Sequence, residues 1–228
     1  MLNWLPENVS SFGTEIDWLM RVVYDVTATV FVLVTTCLVY LLVRYRSRPG
    51  HFATYVEGHA KLELVWTTLT FLTLAIIAAL SQPIWANIRQ RTEPKPPVLM
   101  ARVLAKQFNW TMVYPGPDGR FDTEDDVREE NELVAPVDQD VHITVLSEDV
   151  IHSFFVPQFR LKQDAVPGRE IPVWFRATKT GSFEIGCAEL CGFGHSTMRG
   201  WVRVLSTKAY ADWHRERWPE LPATGGHQ

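Results

Sequence analysis

Two long apolar runs near the N-terminus limit what this chain can fold into more than any other feature. From Val22 to Val43 the sequence reads VVYDVTATVFVLVTTCLVYLLV, with Asp25 as its only charge. From Leu64 to Ala86 it reads LVWTTLTFLTLAIIAALSQPIWA, with none. Each run exceeds the roughly 20 residues that a helix needs to cross a hydrocarbon core about 30 Å thick. Soluble proteins rarely bury two such runs in tandem, so the pattern predicts a transmembrane hairpin, with helices over 22–43 and 64–86. The first run begins too late, and without the basic flank and small-residue cleavage site, to be a removed signal peptide.

Charge orients the hairpin. The connecting loop carries Arg44, Arg46, Arg48 and Lys61 against Glu57 and Glu63, whereas the segment before Arg21 carries only Glu7, Glu15 and Asp17. Basic residues stay on the cytoplasmic side, which puts both termini on the outer, periplasm-like face of a bacterial-type plasma membrane. Trp18 and Trp85 fall near that outer interface, as anchoring aromatics do. The net charge of −4 is modest, and no nucleic-acid partner is expected.

After the second run the texture changes. NIRQRTEPKPP, residues 87–97, is charged and proline-rich and reads as a linker. VLMARVLAKQFNWTMVY, VHITVLS, IPVWFRA, SFEIGC and WVRVLS are rich in Val, Ile and aromatics, partly alternating, and separated by Pro and Gly. Such spacing predicts an all-β sandwich or barrel. Lys208 to Trp218 reads as a short amphipathic helix, and LPATGGHQ as a loose tail. The expected division is a membrane anchor over 1–91, a β domain over 92–207, and a helix and tail over 208–228. The stretch from Asp118 to Glu132 holds eight acidic residues against Arg120 and Arg128. It is read as a solvated loop, as a surface that steers a basic partner, or as a calcium loop, although it departs from the EF-hand pattern.

The chemistry concentrates in GCAELCGFGHSTMRG, residues 186–200, which places Cys187, Cys191, His195 and Met198 at steps of four, four and three. A disulfide between the two cysteines would close a very small loop and leave His195 and Met198 unexplained. Zinc takes thiolate and imidazole, but a thioether suits it poorly. A single blue-copper centre uses two His, one Cys and a weak axial Met, which leaves one thiolate too many here. Two thiolates in one tight loop can instead bridge two metal ions, each then needing a terminal nitrogen and a weak axial donor. A backbone carbonyl between the cysteines is a candidate for the second weak donor. The second imidazole must come from elsewhere. His142 alternates with apolar strand residues, and His214 and His227 lie in the terminal helix and tail. His152, in SEDVIHSFFVP, has apolar and aromatic neighbours that would keep a site dry, and is favoured.

SEDVIHSFFVP, LKQDAVPGR and CAELCGFGHSTM, in this order behind a two-helix hairpin, resemble subunit II of the haem–copper cytochrome c oxidases. The resemblance spans almost the whole chain, and its C-x-E-x-C-x3-H-x2-M pattern is highly specific. It implies a cupredoxin-like Greek-key domain and a binuclear CuA centre. Cys187 and Cys191 would bridge the coppers, and His152 and His195 would be terminal ligands. Met198 and the backbone carbonyl of Glu189 would be the weak donors. The Glu189 carboxylate would help to hold magnesium at the contact with subunit I. The donor would be cytochrome c, the acceptor a haem in subunit I, and subunit III a further partner. Oxygen would be reduced to water in subunit I, with proton pumping.

Two further matches carry expectations. LELVWT resembles the family's E-x-x-W-T, which makes Glu63 the candidate entrance of a proton pathway, although Thr70 stands where the family usually has proline. As a residue read by itself, Glu63 is an interfacial charge favourable to a helix N-terminus. QFNW resembles the family's Q-W-x-W, whose first tryptophan admits the electron. Here Phe108 takes that place and Trp110 the second. No C-x-x-C-H occurs, so a haem fused to this chain is excluded. The competing readings are the CuA subunit of a nitric oxide reductase and a membrane-tethered copper-binding protein.

Overall fold

The computed structural model describes residues 5–90 and 99–219, so most of the expected linker, the tail and His227 lie outside the described residues. The chain divides into two compact units, one of residues 15–87 and one of 1–14 with 88–228.

The first unit is helical. Helix α1 spans Gly13–Arg44 and α2 spans Ala60–Gln90. At about 1.5 Å per residue, each is about 45 Å long or more, longer than a hydrocarbon core of about 30 Å. Both overrun the apolar stretches that define them, because the mixed flanks at 13–21, 60–63 and 87–90 continue the helix. Threonines that interrupt the apolar surface turn their hydroxyls back onto the helix. Thr29 donates to Asp25 O at 2.7 Å and Thr70 to Trp66 O at 2.8 Å, which removes a polar group from a surface lipid would cover.

The second unit is a β-sandwich. Its strands are β1 (Leu99–Lys106), β2 (Asn109–Tyr114), β3 (Val127–Glu130), β4 (Glu132–Pro136) and β5 (Val141–Ser147). They continue with β6 (His152–Val156), β7 (Leu161–Ala165), β8 (Ile171–Phe175), β9 (Gly181–Cys187) and β10 (Arg199–Leu205). One sheet has the order β3-β2-β1-β5-β8 and the other β4-β10-β9-β6-β7. Val141, Ile143 and Val145 alternate inward on β5, and Val202 and Val204 on β10, giving the period of two that packs one sheet face on the other. Within the stretch read as one run from Val98 to Tyr114, residues 99–114 form a hairpin, with Lys106 opposite Asn109 and Gln107–Phe108 at its tip. The acidic stretch is not all loop, since Val127–Glu130 pairs with β2. Several of its charges are also matched: Asp122 with Arg102 at 2.7 Å, Glu129 with Arg217 at 2.9 Å, and Glu132 with Arg203.

Two segments close the sandwich. Ahead of α1, Val9, Ser10 and Phe12 are buried, and Ser10 bridges Ala177 just beyond β8. Val9 donates to Gln158 O at 3.0 Å and accepts from Thr178 N at 2.9 Å, so the segment covers an exposed sheet edge. At the other end, helix α3 (Thr207–Arg217) is capped by Ser206, whose side chain accepts from Ala209 N. It sets Trp213 edge-on to Tyr114 at 5.1 Å.

Tyr114 also joins the sheets by hydrogen bonding. It lies on β2, and its hydroxyl accepts from Val134 N at 2.6 Å and reaches Val134 O at 3.3 Å, on the edge strand β4 of the opposite sheet. Burial pushes its pKa far above the ordinary phenol value. Tyr114→Phe leaves the buried Val134 amide without this partner. It is expected to destabilise the chain by about 1–3 kcal/mol in denaturant titration, and an unchanged midpoint would dismiss this cross-sheet tie.

Candidate metal centre

Three connections meet at one end of the sandwich. The β1–β2 hairpin brings Gln107 and Phe108, the β5–β6 connection brings Asp149, and the β9–β10 loop brings Cys191, His195 and Met198. Strand register explains why they meet. β6 runs antiparallel to β9 with Phe154 opposite Cys187, and Ala188 N donates to Ser153 O at 3.0 Å, so His152 stands at the mouth of the loop. β1 runs parallel to β5, and Glu148 N donates to Ala105 O at 2.9 Å, so the hairpin tip lies beside Asp149.

Both cysteines are free thiols, with sulfurs 3.8 Å apart, far beyond a disulfide bond of about 2.05 Å. The remaining donors divide between them. Cys187 Sγ lies 3.9 Å from His152 Nδ1 and 3.2 Å from Glu189 O. Cys191 Sγ lies 3.7 Å from His195 Nδ1 and 3.9 Å from Met198 Sδ. Each sulfur thus has its own imidazole and its own weak donor. Two donors bonded to one metal at about 2.0–2.3 Å are set roughly 3.3–3.8 Å apart at tetrahedral angles, close to these separations. Soft sulfur with imidazole is also the donor chemistry that suits copper. Among the described residues, the group of His, Cys, Asp and Glu side chains placed to hold a metal ion is His152, Cys187 and Cys191, within 4.8 Å of one another. The acidic stretch forms no such group among the described residues.

Burial is graded across the cluster. His152, Met198 and Cys191 are buried, Cys187 and His195 are partly exposed, and the Glu189 side chain is exposed. Burial, then the neighbouring Cys187, pushes the Cys191 thiol up to about 11, so the metal-free thiol keeps its proton at neutral pH and metal uptake must displace it. His152 Nε2 is 2.8 Å from Asp149 Oδ1. An Nε2–H donated there leaves the Nδ1 lone pair facing Cys187, which is the orienting role that outer partners of ligand histidines fill. Burial raises the Asp149 carboxyl, but hydrogen bonds from His152 and from the Gln107 and Val150 amides outweigh it and hold the group below its usual range.

The other sequence candidates separate. Trp110 is wholly buried, with its ring 6.2 Å from the His152 ring, whereas Phe108 is 37% exposed. Glu63 lies in the first turn of α2, in the helical unit. His142 is on β5, and His214 is on α3 against Trp218 at 4.6 Å. Asp149 and Gln107 were not singled out from the sequence. A carboxylate three residues before His152 was the available signal for the first.

The family profile for the cytochrome c oxidase subunit II periplasmic domain matches residues 102–205, and that for its transmembrane domain matches residues 2–84. The chain belongs to the cytochrome c oxidase subunit II family. Cytochrome c oxidase subunit 2 of Cereibacter sphaeroides is 31% identical, over 90% of this chain and 77% of that one. The alternative cytochrome c oxidase subunit 2 of Bradyrhizobium diazoefficiens is 30% identical, over 92% and 82%. Cytochrome c oxidase subunit 2 of Thermostichus vulcanus is 29% identical, over 93% and 78%. Among solved structures, the periplasmic domain of the oxidase subunit II CoxB of Bradyrhizobium japonicum is 34% identical, over 54% of this chain and 95% of that one, with a TM-score of 0.47. The chain is therefore a subunit of a haem–copper terminal oxidase, with two transmembrane helices and a cupredoxin-like periplasmic domain of the CuA-binding family.

Proposed function

We propose that this subunit is the electron-entry subunit of its oxidase, receiving single electrons from cytochrome c and delivering them to haem in subunit I, where oxygen is reduced to water with proton pumping. The observation that carries the reading is the division of donors: two sulfurs 3.8 Å apart, each with its own imidazole and its own weak donor. One metal ion would not use that duplication.

Cys187 and Cys191 would bridge two coppers, with His152 and His195 as terminal ligands and Met198 and the Glu189 carbonyl as weak ones. When bound, the copper pair supplies a one-electron carrier whose charge is spread over two ions and two sulfurs. The chain's own residues make transfer rapid by holding the ligand frame still. Asp149 fixes the His152 ring, sheet pairing fixes Cys187, and Trp110 and Phe154 close the buried side against water. Phe108 and the fully exposed Phe193 offer an apolar face for the donor. The exposed Glu189 carboxylate would hold magnesium towards subunit I, and Glu63 would admit protons.

Connectivity supports the proposed orientation. The segment before α1 and the chain after α2 belong to one compact unit, as a return of the chain to the face it left requires, and the basic loop between the helices would make that the outer face.

The test is electron paramagnetic resonance of the full chain in detergent, loaded with copper. Hyperfine splitting from two equivalent copper nuclei is expected. A four-line spectrum of one copper would end the binuclear assignment.

A further inference from the structure

The loop that carries Cys191 and His195 is tied to the tip of the β1–β2 hairpin. Gln107 Nε2 donates to Cys191 O at 2.6 Å. Gln107 is 84 residues away in sequence, so this bond ties the loop to the β1–β2 hairpin rather than to its own flanks. The backbone N–H of the same residue donates to Asp149 Oδ2 at 2.8 Å, and Asp149 Oδ1 faces His152 Nε2 at 2.8 Å. Gln107 thus touches both halves of the ligand set: the cysteine of the β9–β10 loop through its side chain, and the histidine of β6 through Asp149.

The fit around it is close. A Cβ at Gly192 would come within 2.7 Å of Gln107 Nε2, and Gly192 has φ +138°, a conformation side chains disfavour. A Cβ at Gly194 would meet the Phe108 ring at 2.5 Å. The hairpin tip therefore lies directly on the loop, and two glycines give it room. The amide is oriented without ambiguity, because a carbonyl oxygen can only accept and Nε2 is the donor end of glutamine.

We propose that Gln107 is a positioning residue of the metal centre. By fixing the Cys191 carbonyl it sets where the Cys191 sulfur stands relative to His195 and Met198, and through Asp149 it keeps that half in register with His152. This rests on the cluster being a copper site, the reading proposed above. Outer partners of metal ligands typically change metal affinity or activity by about 10- to 100-fold when removed.

Gln107→Met keeps the length of the side chain and the backbone N–H to Asp149, and deletes only the amide. In the full chain in detergent, loaded with copper, it is expected to alter the hyperfine pattern and absorption of the copper. It is also expected to release copper to a chelator roughly 10-fold faster than the unaltered chain. The melting temperature of the metal-free protein should change little, which a merely structural role would not predict. Gln107→Asn, which keeps an amide too short to reach, should behave in the same way, and it serves if the methionine variant does not fold. Copper spectra and release within twofold of the unaltered chain, in whichever variant folds, would overturn the proposal. If the unaltered chain shows a one-copper spectrum, the binuclear reading fails, while the comparison with the variants still decides the role of Gln107.

Discussion

With Cys191 as a ligand of the proposed copper centre, Cys191→Ser should remove electron entry from the assembled oxidase. Cytochrome c-driven oxygen uptake is expected to fall on the order of 100-fold or more, because loss of a direct ligand must exceed the roughly 10- to 100-fold effects of outer partners. The reason is the central place of this sulfur. It lies 3.8 Å from Cys187 Sγ, 3.7 Å from His195 Nδ1 and 3.9 Å from Met198 Sδ, so it contacts donors on both sides of the cluster. Serine is nearly isosteric, and only 4% of this residue is exposed, so packing should survive the change. What is lost is the soft, polarisable sulfur, replaced by a hydroxyl that does not ionise near neutral pH and has little affinity for copper. Metal analysis of the purified complex should show less copper per subunit, together with loss of the two-copper hyperfine pattern. Full copper content with unchanged oxygen uptake would remove Cys191 from the centre.

What the sequence disclosed, and what it hid, follows from how far apart the interacting residues are. The transmembrane pair was legible because hydropathy is additive along an uninterrupted run, and Val22–Val43 and Leu64–Ala86 carry one charge between them. The helix ends were not, since charges such as Glu15, Asp17, Arg21 and Arg89 interrupt the flanks that extend α1 back to Gly13 and α2 on to Gln90. The loop donors Cys187, Cys191, His195 and Met198 were visible as a group because one short connection carries them all. His152 could be favoured from its dry neighbourhood. Gln107 could not, because its partner Cys191 is 84 residues away and its other partner Asp149 is 42 away. The hairpin turn at Gln107–Phe108 was hidden too, because neither residue is a usual turn former. The strand Val127–Glu130 was masked by its charges: an edge strand with a solvated face can be written in Arg and Glu. The sheet-edge cover at Val9–Phe12 is too short to show any period at all.

Trp110→Ala is expected to be the most damaging substitution in the sandwich away from the ligands. The indole is wholly buried and packs edge-on to Phe154 at 5.7 Å and to His152 at 6.2 Å. Removing a buried aromatic of this size costs about 3–5 kcal/mol, from lost transfer energy and the cavity that remains. Denaturant unfolding of the metal-free full chain should show that loss. The copper-loaded protein should lose more, because the cavity opens beside His152 and removes the wall that holds its ring. Trp110→Phe separates packing from electron transfer. It refills most of the space and deletes an indole N–H that is buried without a hydrogen-bond partner among the described residues. The two effects oppose each other, so the net stability change should stay within about 1.5 kcal/mol. A phenylalanine that restores stability and oxygen uptake together makes Trp110 a packing residue and leaves electron entry to the exposed Phe108 face. A phenylalanine that restores stability but leaves uptake slow makes the indole part of the electron path. An alanine variant as stable as the unaltered chain would refute the packing role.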